Sequence, residues 1–162
     1  DVFYSINLKS GTYVINDNKT RDWNGMGSWA CSNYMLVNGR LLHLYDGSFE
    51  NTMSVNNKSI DLTNGIDGLA ITEWHCYMGS KTIPLLKFPN MLNKIWGGQF
   101  RSCTFTDVYF TNPTPPTQIL NSDNPSVFIN CTFNGNIYVP AASLTDYQTA
   151  FPNQAQYMVA MS

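Results

Sequence analysis

The sequence predicts a mainly β fold: a small antiparallel β module over residues 1–59, followed by a short repeat solenoid over residues 60–162 that ends in a capping helix. Three observations predict it. Nineteen Asn, fourteen Thr and 14% aromatic residues stand where helix formers would otherwise be. Asn and Gly accept turn conformations, while Thr, Tyr, Phe and Trp suit a pleated surface. Asn38-Gly39 lies between two stretches of alternating character, a hairpin signal. Finally, Phe100-Arg-Ser-Cys-Thr-Phe105 and Phe128-Ile-Asn-Cys-Thr-Phe133 repeat one pattern, with Phe, Cys, Thr and Phe all at the same offset.

In the N-terminal module, Ile6 to Lys9 and Thr12 to Ile15 flank a turn at Ser10-Gly11. Ser28 to Val37 alternates as a strand, and Asn38-Gly39 turns the chain back into Leu41 to Tyr45. The module ends near Asn56-Asn57. Trp23, Trp29 and Tyr34 gather around the Gly- and Asn-rich Asn24-Gly-Met-Gly27, where their rings either fill the small core or face a ligand.

In the second half, the step from Cys76 to Cys103 nearly equals the step from Cys103 to Cys131, and the latter is also the offset between the two Phe-x-x-Cys units. A repeat of that length stacks equal phases above one another, so Cys76, Cys103 and Cys131 are expected in one buried column, with Phe100 and Phe128 as equivalent core residues. Parallel stacked side chains rarely offer the torsion a disulfide needs, so the expected state is the free thiol. Cys31 lies outside the repeat. Thr111 to Pro125 carries four prolines and reads as an excursion between rungs. Pro140 ends the last strand, after which Ala141 to Ala150 is expected to close the stack as a helix with Leu144, Tyr147 and Phe151 inward.

Leu85-Leu-Lys-Phe-Pro89, Ile95-Trp-Gly-Gly-Gln-Phe-Arg-Ser-Cys103, the second Phe-x-x-Cys unit and Ile137-Tyr-Val-Pro-Ala-Ala-Ser-Leu-Thr-Asp-Tyr147 together resemble the BspA-like leucine-rich repeats of surface proteins from gut and oral Bacteroidetes. The likeness covers roughly residues 66 to 162. It implies a leucine-rich-repeat-like solenoid with a C-terminal capping helix, surface display and adhesion. Two departures imply irregular rungs. Both Cys-Thr-Phe units are one residue shorter than the family spacing and use Phe for Leu, and the unit around Trp74-His-Cys76 lacks an aromatic residue three positions before its cysteine. Ser28-Trp-x-x-Ser-Asn-Tyr-x-x-Val37-Asn-Gly39 has a shorter likeness to β modules of phage tail and surface proteins of the same bacteria.

Composition excludes several functions. A net charge of −2 with only 12% charged residues leaves no basic stripe, so no nucleic-acid partner is expected. No apolar run is long enough to cross a membrane, and a start at Asp1 without a signal segment reads as a mature or excised fragment. Low charge with abundant Asn, Thr and aromatics points outside the cytoplasm.

Catalytic and metal chemistry is not indicated. His43 and His75 stand far apart in the chain without ligand spacing, so no metal and no cofactor are expected. His75 and Cys76, adjacent on a strand, point to opposite faces and cannot pair as base and nucleophile. Asp46, Glu50, Asp61, Asp67 and Glu73 are the carboxylates from which a glycosidase pair would have to come. The expected function is therefore a non-catalytic, extracellular or cell-surface module that binds a glycan or a host or extracellular protein through Trp23, Trp29 and Tyr34, with Trp74 and Trp96 in the core. A structural spacer of a larger surface or phage tail protein and a cryptic glycan-processing enzyme are the alternatives; oligomeric state stays open.

Overall fold

The computed structural model describes residues 4–5, 15–16, 34–44, 56–57, 59–66 and 68–162. In chain order the described strands are β1 (Tyr4–Ser5), β2 (Ile15–Asn16), β3 (Tyr34–Val37), β4 (Arg40–Leu44), β5 (Ser59–Asp61), β6 (Glu73–Trp74) and β7 (Thr82–Lys87). They continue as β8 (Lys94–Trp96), β9 (Thr104–Tyr109), β10 (Thr117–Ile119), β11 (Thr132–Phe133), β12 (Ile137–Val139) and β13 (Met158–Ala160), with a short α-helix, α1 (Leu144–Ala150), flanked by 3-10 turns at Ala141–Ser143 and Pro152–Tyr157. A first sheet has the order β10-β8-β6-β4-β3; a second has β13-β12-β9-β7-β5, with β11 also beside β9. From β4 to β11 the chain passes back and forth between them. A chain that crosses to the opposite sheet and returns lays its next strand parallel to the last, which is how short links satisfy a parallel sheet without helices.

This arrangement corrects the expected fold class. Four strands of the first sheet and all six of the second pair in parallel. Antiparallel pairing between described strands is confined to β1 with β2 and β3 with β4. The hairpin turn at Asn38-Gly39 is present, with both residues at positive φ (50° and 82°). However, β4 leaves that hairpin to pair in parallel with β6, Arg40 opposite Glu73 and Leu41 opposite Trp74, so the pairing runs across the 59/60 boundary. An antiparallel module followed by a leucine-rich-repeat-like solenoid does not describe the molecule; two parallel sheets wound by one chain do. Alternating apolar and polar residues look alike in parallel and antiparallel strands, so the sequence pattern carried no information about direction.

The even repeat is also corrected. Thr82 pairs with Thr104, and Thr104 in turn with Thr132, a distinctly longer step along the chain. The step from Glu73 to its partner Lys94 is shorter than either. Uneven coils dissolve the expected cysteine column. Cys103 and Cys131 immediately precede the paired strands β9 and β11 in the second sheet, whereas Cys76 follows β6 in the first. All three thiols are free. The residue in phase with Phe100 in the preceding coil is Met78, whose N–H donates to Gln99 O at 2.6 Å. Three residues of positive φ, Ser80, Ser102 and Asn130, mark the same corner in successive coils, joined by Ser80 N–H to Arg101 O (2.8 Å) and Ser102 N–H to Ile129 O (2.8 Å).

The core lies between the sheets and joins aliphatic side chains to a connected set of aromatic rings. Trp74, Phe88, Phe100, Phe105, Phe110 and Phe128 are buried there, with Phe88 stacked on Phe110 at 4.7 Å and Phe100 on Phe128 at 5.7 Å. Trp74 keeps its indole N–H satisfied by donating to Cys76 O at 2.9 Å. At the far end, α1 brings Tyr147 and Phe151 into the core, and the Tyr147 hydroxyl donates to Asn112 O at 2.6 Å. The chain does not stop at this helix: β13 follows and forms the edge of the second sheet beside β12. Thr111 to Pro125 is likewise more than an excursion, because it contains β10, which pairs with β8 at the edge of the first sheet, where proline costs least.

Candidate functional site

The first sheet exposes one face to solvent, and its side chains fall into two rows set by register. Arg40, Glu73, Lys94 and Thr117 occupy equivalent positions on β4, β6, β8 and β10. One residue on, Leu41, Trp74 and Ile95 turn into the core. The next position faces outward again, with Leu42, His75, Trp96 and Ile119; Trp96 and Ile119 are paired, and His75 follows the paired Trp74. A charged row therefore runs beside an apolar and aromatic one.

Contacts between the rows make this a defined site. The His75 and Trp96 rings stack at 4.3 Å with only 6° between their planes. The Arg40 guanidinium lies 4.7 Å from the Trp96 ring centre and the Lys94 ammonium 5.9 Å from it. Arg40 donates from both Nε (3.1 Å) and Nη2 (3.0 Å) to Glu73 Oε1. Half-burial lowers the His75 pKa, the Arg40 charge lowers it further, and Glu73 opposes both, so the imidazole is held neutral near pH 7. Beside the pair, Asn38, Arg40, Leu42 and Glu73 line an open cleft of about 270 Å³. That is near the lower end of the roughly 300–1,000 Å³ typical of small-molecule pockets.

The second sheet carries a lesser ladder on its outer face. Asp61, Lys87, Tyr109 and Tyr138 share one register row. Lys87 Nζ lies 4.0 Å from the Asp61 carboxylate and 5.0 Å from the Tyr109 ring centre, and Tyr109 stacks on Tyr138 at 4.5 Å.

Of the residues expected to bind ligand, Trp23 and Trp29 lie outside the described residues, as does Cys31. Tyr34 opens β3, but its ring is not among the described side chains. Phe100, Phe128, Cys76 and Cys103 are buried, while Cys131 is partly so. Trp74 is in the core as expected; Trp96 instead faces outward, half-buried under its polar neighbours. The signal that identifies it is parity: in Lys94-Ile95-Trp96 the indole shares a face with the lysine, not with the buried isoleucine. His75 and Cys76 do point to opposite sides, His75 onto Trp96 and Cys76 into the core. Burial pushes the Cys76 thiol up to about 12, which leaves it protonated and unreactive as a nucleophile.

Among the described residues, no cluster of three or more His, Cys, Asp or Glu side chains could hold a metal ion. No helix there is long and apolar enough to cross a membrane. No protein-family model matches the chain, and comparison with curated proteins and with solved structures likewise returns no match.

Proposed function

We propose that this chain is a non-catalytic binding module, displayed outside the cell or on its surface, that takes a glycan or a host or extracellular protein as its ligand. The observation that carries this reading is the outward constellation of Trp96, His75, Arg40 and Glu73 on the first sheet. Large planar side chains and arginine are the groups that most often anchor interfaces, because they bury much area at little entropic cost. Here they sit on a sheet framework and are held by one another, so little ordering remains to be done on binding. Placement outside the cell rests on the low charge, the abundance of Asn and Thr, and the resemblance to bacterial surface proteins.

One shallow site gives modest affinity, so adhesion would depend on several copies acting together. A multimerised form of the protein, probed against a glycan array and a panel of extracellular matrix proteins, tests the reading. Binding should be lost in Trp96→Ala and Arg40→Gln and retained in Tyr138→Ala. Silence across both panels would favour the structural spacer, and turnover of any glycan would favour the enzyme.

A further inference from the structure

We propose that His75 gates the first-sheet site by pH: when it takes up a proton, the Arg40 guanidinium is driven off the Trp96 ring and the ligand is released. This regulation rests on the binding-module reading of the same site. It starts from the sharing of one indole by residues of three strands. His75, following β6, stacks on Trp96 of β8 at 4.3 Å with 6° between the planes, and Arg40 of β4 sets its guanidinium 4.7 Å from the Trp96 ring centre. Lys94, also on β8, adds an ammonium 5.9 Å away. Two cations therefore already bear on the ring that carries the imidazole, and a proton on His75 makes a third.

Among the described residues, Glu73 is the carboxylate that faces this cluster, and it is committed. Arg40 Nε and Nη2 both donate to its Oε1, at 3.1 and 3.0 Å. The neighbouring positions on β10, Thr117 and Ile119, bring no charge to set against a new cation. While His75 is neutral, one carboxylate holds one guanidinium. An imidazolium competes with Arg40 for that carboxylate and repels the guanidinium across a partly buried site, where charges act more strongly than in bulk water. Burial of the ring and the Arg40 charge both oppose protonation, and Glu73 favours it. Such coupling is reciprocal, so a guanidinium that disfavours the imidazolium is itself disfavoured by it. At pH 7 the stack and its guanidinium are assembled; as pH falls below 6.5 and His75 charges, they come apart.

NMR of the full chain from pH 7.5 to 4.5 reads this switch without a ligand. The Arg40 Nε–H and Trp96 indole N–H signals should move with the same midpoint as the His75 ring carbons. Arg40→Gln should raise that midpoint, and Glu73→Gln should lower it. A His75 ring that titrates while Arg40 stays still, a ring that stays neutral throughout the range, or a midpoint unmoved in Arg40→Gln would each overturn the gate. The first two outcomes use the unaltered protein, so they decide the matter if a variant misfolds. The multimerised protein is then applied across the same pH range to the glycan array and the matrix-protein panel. Affinity for whichever probe binds at pH 7.5 should fall below the His75 midpoint by up to about tenfold per pH unit, the limit set by one proton. His75→Phe keeps a ring but takes up no proton, so its binding should lose this slope whatever its strength at pH 7.5. A slope that survives in His75→Phe, or affinity that holds through the midpoint, would overturn the gate and leave the binding module standing. Silence of both panels at every pH would overturn the binding module, and the release of a ligand with it, even where NMR shows Arg40 and His75 moving together.

Discussion

Two stacked pairs, one inside the molecule and one outside, each join equivalent residues of successive coils and do opposite work. Phe100 and Phe128 stack at 5.7 Å between the sheets, and His75 and Trp96 stack at 4.3 Å on the outer face of the first sheet. Both pairs exist because parallel strands bring equivalent residues of successive coils side by side. Inside, the neighbours are further rings, and removing water is the source of stability. Outside, the neighbours are Arg40, Glu73 and Lys94, and the same stacking orders charged groups that would otherwise wander. Equal geometry therefore supplies stability in one place and preorganisation in the other.

The largest effect should come from the inner pair. Phe100→Ala should cost about 3–5 kcal/mol in chemical denaturation, the range for a buried phenylalanine. Met78→Ala, in phase with it one coil earlier, should cost about 2–5 kcal/mol, and a loss under about 1 kcal/mol at both positions would break the register argument. Next comes alkaline pH. Burial raises the Cys76 thiol from 9.0 to about 12 in the folded chain. As pH rises, the unfolded chain loses its proton first, so this stabilisation is complete below about pH 9 and is lost as pH climbs toward 12. Urea midpoints across that window should fall, and fall less in Cys76→Ala.

The outer pair should show the reverse balance. Trp96→Ala should cost no more than about 1.5 kcal/mol of stability, because the ring is only half-buried, yet should abolish ligand binding. Equal or greater destabilisation than Phe100→Ala would show that the indole belongs to the core. Arg40→Gln should be smaller still, about 0–1 kcal/mol, since the ion pair is partly exposed. His75 sharpens the comparison at acid pH. Its folded pKa lies below 6.5, so the unfolded chain takes up the proton first as pH falls. Its contribution is present above pH 6.5 and is lost as pH drops through the folded value, and a His75→Gln variant should lack that part of the profile.

The hairpin at Asn38-Gly39 can be read directly, because turn residues are a local property, whereas β10, in a proline-rich stretch, and β13, beyond the helix, carry no alternation that marks them as strands. The helix after Pro140 and its inward Tyr147 and Phe151 can be read as the hairpin can. The repeat is only partly readable. Phe100 and Phe128 share a phase, but their predecessor is Met78, which no search for a repeated aromatic would select. Cys76 lies near the expected spacing by coincidence of unequal coils. Trp96 reads as a core residue because tryptophan usually is one, although its parity with Lys94 points outward.

What residue order alone decided here is where the hairpin turns and which side chains within a strand share a face, since these follow from φ, ψ and the two-residue period of a strand. Which strands became neighbours, in which direction, and therefore that Arg40, Glu73, His75 and Trp96 meet from separate coils, was decided by the tertiary structure. The physical reason is that pairing direction depends on how the chain returns to the sheet. The coils from Glu73 to Lys94, from Thr82 to Thr104 and from Thr104 to Thr132 differ in length, yet each reaches an equivalent corner by a route that no single spacing encodes.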